Sequence, residues 1–167
     1  MKYAIVYSSE TGNTRILAEK IREMLPDCVY FGEPEGEIPE ADRFYVGFWT
    51  NQGRCDARTE EFLSTLYAKE VFLFGTAGFG ESPDYFTAIL EGTQAMLSPD
   101  IRVIGSFMCQ GKMPMSVRER YVQMQTMPGK KEAMERMIRN FDQALSHPDR
   151  VDLEKLSAII RETAEKQ

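Results

Sequence analysis

Residues 8–14 read SSETGNT: four hydroxyl side chains, a glycine and an asparagine between an apolar run and the start of a helical pattern. A loop at a helix N-terminus presents unpaired backbone N–H groups and the positive end of the helix dipole, which together attract an anion. Ser8, Ser9, Thr11 and Thr14 add hydroxyl donors, and Gly12 lets the backbone curl closely round a guest. The loop therefore reads as a nest for one phosphate. It contains no lysine or arginine. A nucleoside triphosphate loop needs the GK[ST] ending, and a dinucleotide loop after a first strand needs GxGxxG; neither is present. What remains is a small terminal phosphate held by neutral donors, the alternative being a plain Ser/Thr-rich cap.

Other chemistry is poorly supplied. His147 is the single histidine and sits in SHPD, where a turn or capping role fits it. Cys28, Cys55 and Cys109 show no CxxC spacing, so neither a disulfide framework nor a zinc site is encoded. No Ser/His/Asp set and no metal-ligand cluster can be drawn, so no catalytic and no metal-binding residue is assigned.

The elements that must carry the loop alternate. KYAIVYS (2–8), CVYF (28–31), DRFYVGFW (42–49), KEVFLFGT (69–76) and IRVIGSFMC (101–109) read as strands. NTRILAEKIREML (13–25), TEEFLSTL (59–66) and SPDYFTAILEGTQAML (82–97) read as helices, the last with Ser82 as N-cap and Pro83 at its first position. Helices are also expected over 117–127, 130–145 and 151–167. This is an α/β doubly wound domain with right-handed crossovers. Ligands of such sheets lie beyond the carboxyl ends of the strands. That rule selects SSETGNT, TNQGRCD, GTAGFGESPDY and QGKMPMS.

The chain has 167 residues and a formal charge of −6, enough for one domain with a full core. The acidic balance argues against nucleic acid or anionic lipid as the main partner, and favours partners with a basic face. With no membrane-length apolar run and no leader pattern, a cytoplasmic protein is expected.

SSETGNT resembles the phosphate loop of flavodoxins, [ST]xTGNT directly after the first strand, with Ser9, Thr11, Gly12, Asn13 and Thr14 on the matching positions. The strand–helix order over residues 1 to about 110 is similar as well. GFWTNQG, FGTAGFG, FMCQGKMPMS and ALSHPDRVDLEKL extend the likeness to small stand-alone flavodoxin-domain proteins of anaerobic bacteria, some found beside bilin-reducing enzymes. The resemblance implies a flavodoxin-like five-stranded parallel sheet of order 2-1-3-4-5 with helices on both faces. It implies FMN as cofactor, its phosphate in the loop Ser9, Glu10, Thr11, Gly12, Asn13 and Thr14. Residues 1–146 would form the FMN-binding domain and 147–167 a helical extension of it.

On that resemblance, Trp49 is expected to touch the flavin, with Thr50, Asn51 and Gly53 in a loop where one peptide turns on flavin reduction. The backbone of Thr76, Ala77, Gly78, Phe79 and Gly80 is expected along the ring's pyrimidine edge, and Phe79 or Tyr85 over a face. Lys112 is a candidate to neutralise flavin N1 or a substrate carboxylate. The methionines between 108 and 137 form either a soft partner surface or ordinary helix packing. The implied function is an electron carrier between redox partners, monomeric or weakly dimeric. The alternatives are an FMN-dependent NAD(P)H oxidoreductase acting on a quinone, nitro compound or tetrapyrrole, and an interaction module without cofactor.

Overall fold

The structure is a computed structural model that describes residues 1–80 and 82–165. Its centre is a parallel sheet of β1 (Tyr3–Tyr7), β2 (Tyr30–Gly32), β3 (Arg43–Asn51), β5 (Glu70–Ala77) and β6 (Arg102–Gln110), in the order β2-β1-β3-β5-β6. This is the 2-1-3-4-5 order expected for the five long strands. A sixth, two-residue strand, β4 (Arg54–Cys55), pairs antiparallel with the end of β3 and was not foreseen.

The alternation of side chains along each strand explains why both faces are covered. Ile5, Tyr7, Tyr45, Phe72 and Phe74 pack with Leu17, Ala18 and Ile21 of α1 (Asn13–Met24) and with Leu156 and Ile160 of α6 (Arg150–Glu165). Their neighbours Ala4, Val6, Phe44, Val46, Val71 and Leu73 pack on the opposite face with Leu63 of α2 (Ala57–Leu63) and Leu66. A third cluster joins Phe48, Ala77 and Met108 to Ile89 of α3 (Pro83–Gln94). The central strands are thus apolar on both sides, which is why they read as continuous runs.

Local signals set the helix starts. Ser82 caps α3, its Oγ accepting from the Asp84 N–H at 3.2 Å, and Pro83 opens the helix. α2 begins two residues earlier than expected because Asp56 caps it, accepting from the Thr59 N–H at 3.2 Å. The two remaining helices, α4 (Met115–Met124) and α5 (Lys131–Ala144), form a hairpin. Arg118 of α4 donates twice to Asp142 of α5, at 2.8 and 3.2 Å. α5 buries Asn140, Phe141 and Ala144, whereas α4 buries no residue. The expected helix over 151–167 is α6 up to Glu165; residues 166 and 167 lie outside the described residues. Among the described residues no helix is long and apolar enough to cross a membrane.

Candidate functional site

The turn from β1 into α1 hinges on Gly12, whose φ of 89° lies in the left-handed region. Gly12 occupies the N-cap position of α1 and, having no side chain, caps nothing itself; no acidic residue stands in the first turn. The first-turn N–H groups of Asn13 and Thr14 have no intrahelical acceptor. Instead the Ser9 hydroxyl accepts from the Gly12 N–H at 3.1 Å and, more weakly, from the Arg15 N–H at 3.4 Å. Ser9 Oγ thus occupies the Gly12 and Arg15 amides, which leaves the Asn13 and Thr14 N–H groups as the donors the turn offers an anion.

Two hydroxyls expected at the anion are used differently. Thr14 is fully buried; its Oγ1 donates to the Phe48 carbonyl at 3.0 Å and shares a bond with Thr76 Oγ1 at 3.1 Å, tying α1 to β3 and β5. Its hydroxyl is therefore spent inside the fold, and its N–H is what faces the turn. Ser8 is likewise buried, 3.5 Å from an Arg58 nitrogen. That guanidinium is held by Glu35, at 2.5 and 2.6 Å, and by Glu33 at 3.3 Å, which push its pKa up. Arg15 is paired with Glu19 at 3.0 Å. Both guanidiniums beside the loop are thus committed to glutamates.

A second wall follows β6. Asn13 Nδ2 donates to the Lys112 carbonyl at 2.8 Å and to Thr11 Oγ1 at 2.9 Å. This approach needs Gly111, where a Cβ would sit 2.4 Å from Asn13 Nδ2. The Gly111 N–H donates to the Ala77 carbonyl at 2.9 Å, and the Lys112 N–H to the His147 carbonyl at 3.1 Å. Met113 lies over Gly78, its sulfur 2.5 Å from where a Cβ would stand. His147, Asp149 and Asp152 cluster within 4.8 Å. The two carboxylates cap α6 reciprocally, each accepting from the other residue's N–H at 2.8–2.9 Å, and Nδ1 of His147 lies 2.7 Å from Asp152.

The loop after β3 is a tight hairpin. Thr50 pairs with Cys55 and Asn51 with Arg54, around Gln52 and Gly53 with φ of 52° and 77°. Two positive φ values in a two-residue turn match the twist of the flanking strands. Buried Asp56 clamps its base, accepting from the Trp49 N–H at 3.2 Å while its own N–H donates to the Trp49 carbonyl at 3.0 Å. Trp49 is thereby fixed at the strand end, half-buried.

These loops enclose a cleft of about 250 Å³. Of the residues expected from the sequence, Ser9, Glu10, Thr11, Asn13, Thr14, Trp49, Thr50, Thr76, Ala77 and Gly78 line it; Gly12 does not, although its left-handed turn joins Thr11 to Asn13 there. Asn51 and Gly53 do not line it; they sit on the exposed hairpin, turned out by the β-pairing. Phe79, Gly80 and Tyr85 also lie off the cleft. Phe79 and Tyr85 stack edge to face at 6.1 Å, Tyr85 packs on the Phe48–Ile89 cluster, and Gly80 lies against Gln110. Burial pushes the Tyr85 phenol pKa up. The wall supplied by Gly111, Lys112, Met113 and Pro114 comes from QGKMPMS, the loop selected after the last strand, of which Lys112 alone had been given a role at the cofactor. Its signal was position, directly beyond the last strand.

Asn13 Oδ1 and Thr50 Oγ1, both in residues that line this cleft, are buried without a hydrogen-bond partner among the described residues. Such atoms are costly unless a ligand or water satisfies them. A larger groove of about 720 Å³ runs between the acidic segment 34–40 and α2. The start of α2 beside it is capped by the Asp56 carboxylate, and its Arg58 is paired with Glu33 and Glu35, so chemistry favours the smaller cleft.

Comparison with known proteins agrees with this architecture. The curated flavodoxin-like domain-containing protein BilS of Clostridium symbiosum (strain WAL-14163) is 41% identical over 172 residues, covering 92% of this chain and 90% of that protein. The flavodoxin of Streptococcus pneumonia TIGR4 superposes with a TM-score of 0.63 at 18% identity, covering 100% of both chains. A flavoprotein from Lactobacillus acidophilus NCFM, solved in complex with FMN, reaches 0.50 at 19% identity over 64% of this chain and 92% of that one. The pattern of the flavodoxin domain matches residues 4–161, and the chain belongs to the flavodoxin domain family.

Proposed function

We propose that this chain binds FMN in the cleft beyond β1, β3 and β5 and carries electrons between partner proteins. The observation that carries the reading is the left-handed turn at Gly12, which opens α1 beside the cleft with the Asn13 and Thr14 N–H groups lacking intrahelical acceptors. A dianionic phosphate ester satisfies those donors and the helix dipole with no cation required.

The remaining walls suit the rest of the cofactor. Thr50 Oγ1 and Asn13 Oδ1 await polar partners, which a ribityl chain and the polar edge of a flavin supply. Trp49 offers an aromatic face at the rim. At about 250 Å³ the cleft is smaller than the roughly 300–1,000 Å³ of enclosed ligand sites. A flavin seated here keeps an edge at the surface, within reach of a docked partner. FMN, when bound, supplies reversible one- and two-electron chemistry; the protein's part is to hold and orient it and to set the local charge.

The net charge of −6 favours partners with a basic docking face in the cytoplasm, and a monomer or weak dimer suffices for this role. A second reading, an FMN-dependent NAD(P)H oxidoreductase, draws on Met113 and Pro114 standing in the cleft wall. Against it, the adjoining methionine-bearing α4 lies on α5 through the Arg118–Asp142 pair.

The test is FMN titration of the FMN-free protein followed by Trp49 emission. Saturable quenching that persists through desalting supports the cofactor reading; its absence refutes it. Rapid NADPH oxidation by the loaded protein alone selects the oxidoreductase. Negligible turnover with two resolved one-electron stages in photoreduction selects the carrier.

A further inference from the structure

Gln110, at the end of β6, and Asn140, on α5, are 6% and 3% exposed, yet neither lines the cleft. Their amides close a small ring of hydrogen bonds. Gln110 Nε2 donates to the Gly78 carbonyl at 3.0 Å and to Asn140 Oδ1 at 3.1 Å, and Asn140 Nδ2 donates to the same Gly78 carbonyl at 3.0 Å. Turning either amide over would set oxygen against oxygen, so the orientation of both is fixed by the network. Two buried side chains from separate elements are thus spent on one main-chain oxygen, a costly arrangement for a mere turn.

The packing on either side has the same effect. A Cβ at Gly80 would stand 2.8 Å from Gln110 Cδ, and one at Gly78 would stand 2.5 Å from Met113 Sδ. The segment 78–80 is therefore held between Met113, on the cleft side, and the amide ring behind it.

The geometry points to Gln110 and Asn140 as positioning residues of the cofactor cleft. They turn the Gly78 carbonyl away from it, and, because a trans peptide is planar with C=O and N–H opposed, they aim the Phe79 N–H toward it. This inference rests on the proposed FMN site. An aimed N–H gives the polar edge of a flavin a donor that costs no reorganisation on binding. Such a donor favours the more electron-rich, reduced form, so releasing it moves the midpoint potential negative.

The experiment compares wild type with Asn140→Leu, Gln110→Leu, their double variant, and the gentler Asn140→Ser in case leucine prevents folding. Thr93→Val is the control, because its buried hydroxyl donates to the Ile89 carbonyl at 2.8 Å and meets Cys55, with no bond to the segment 78–80. Thermal unfolding and amide exchange at Phe79 are read on FMN-free protein, then FMN affinity and midpoint potential on the loaded protein. Each single variant is expected to bind FMN about tenfold more weakly, with a more negative potential and faster Phe79 exchange. The double variant is expected to lose little more than either single one, because both amides serve one acceptor. Variants that lose thermal stability as Thr93→Val does, yet keep wild-type affinity and potential, would overturn the proposal and leave the ring a structural one. Wild-type protein that takes up no FMN overturns the cofactor reading itself, a result seen before any variant is compared.

Discussion

Substitution of Gly12 gives the sharpest test of the anion turn, because its cost separates into terms the structure defines. At φ of 89° an L-residue is strained by about 1–2 kcal/mol. No atom lies within 4 Å of the position a Cβ would take, so alanine adds no clash to that strain. If the turn stays left-handed in the FMN-free protein, the whole cost appears in unfolding, about 2–8 °C in Tm for a domain of this size. If the turn relaxes, the cost is deferred to FMN binding, a loss of roughly 5- to 30-fold in affinity. The two losses together are bounded by the same 1–2 kcal/mol. Asparagine tolerates this region and should be the mildest replacement, and β-branched valine the worst. Urea unfolding of FMN-free protein, paired with an FMN titration for Gly12→Asn, Gly12→Ala and Gly12→Val, measures both parts. Equal damage from asparagine and valine would refute the reasoning. So would a combined loss for alanine far above about 2 kcal/mol, since the open space around Gly12 supplies no source for it.

Thr14→Val removes the hydroxyl that bonds the Phe48 carbonyl and Thr76, and should lower the urea-unfolding stability of FMN-free protein by about 1–3 kcal/mol. Asp56→Ala removes the α2 cap and the acceptor for the Trp49 N–H. Stability should fall by about 2 kcal/mol, and emission from Trp49, the chain's single tryptophan, should shift red as its strand end loosens. Burial pushes the Cys55 and Cys109 thiols up in pKa, so iodoacetamide at about pH 8 should label half-buried Cys28 first, as read by peptide mass spectrometry. Arg118 holds the Asp142 carboxyl below its ordinary value of 3.8. The α4–α5 pair should therefore contribute fully above that value and be lost as pH falls through the lower folded one, a loosening visible in α4 amide exchange.

The parts of this molecule legible in its residues were those encoded locally. Apolar strand runs, the Ser82–Pro83 helix start and the Thr-Gly-Asn-Thr turn each carry their signal within a few positions. The hairpin at Gln52–Gly53 was not visible, because a non-glycine residue with positive φ opens it and the usual Asn-Gly or Asp-Gly pair is missing. Phe79 and Tyr85 looked like flavin covers because an aromatic near a strand end suits either role. Only the packed structure shows them satisfied by each other. The bonds from Asn13 to Lys112 and from Asn140 to Gly78 span 99 and 62 positions, so no local pattern announces them. Thr14 illustrates the same limit in reverse: its type and place fitted the anion, and its hydroxyl was already engaged with β3.

The seating of α6 against α1 bears on how the molecule matures. Leu156 and Ile160 complete the apolar bed on which Leu17, Ala18 and Ile21 rest, so α1 lacks its full support until residues of the 150s have been synthesised. A ribosome-bound chain stopped before that point holds the Gly12 turn without its buttress. Closure of α6 on α1 joins distant parts of the chain, a slow class of contact, so the Gly12 turn is expected to gain its full rigidity only once that closure is made.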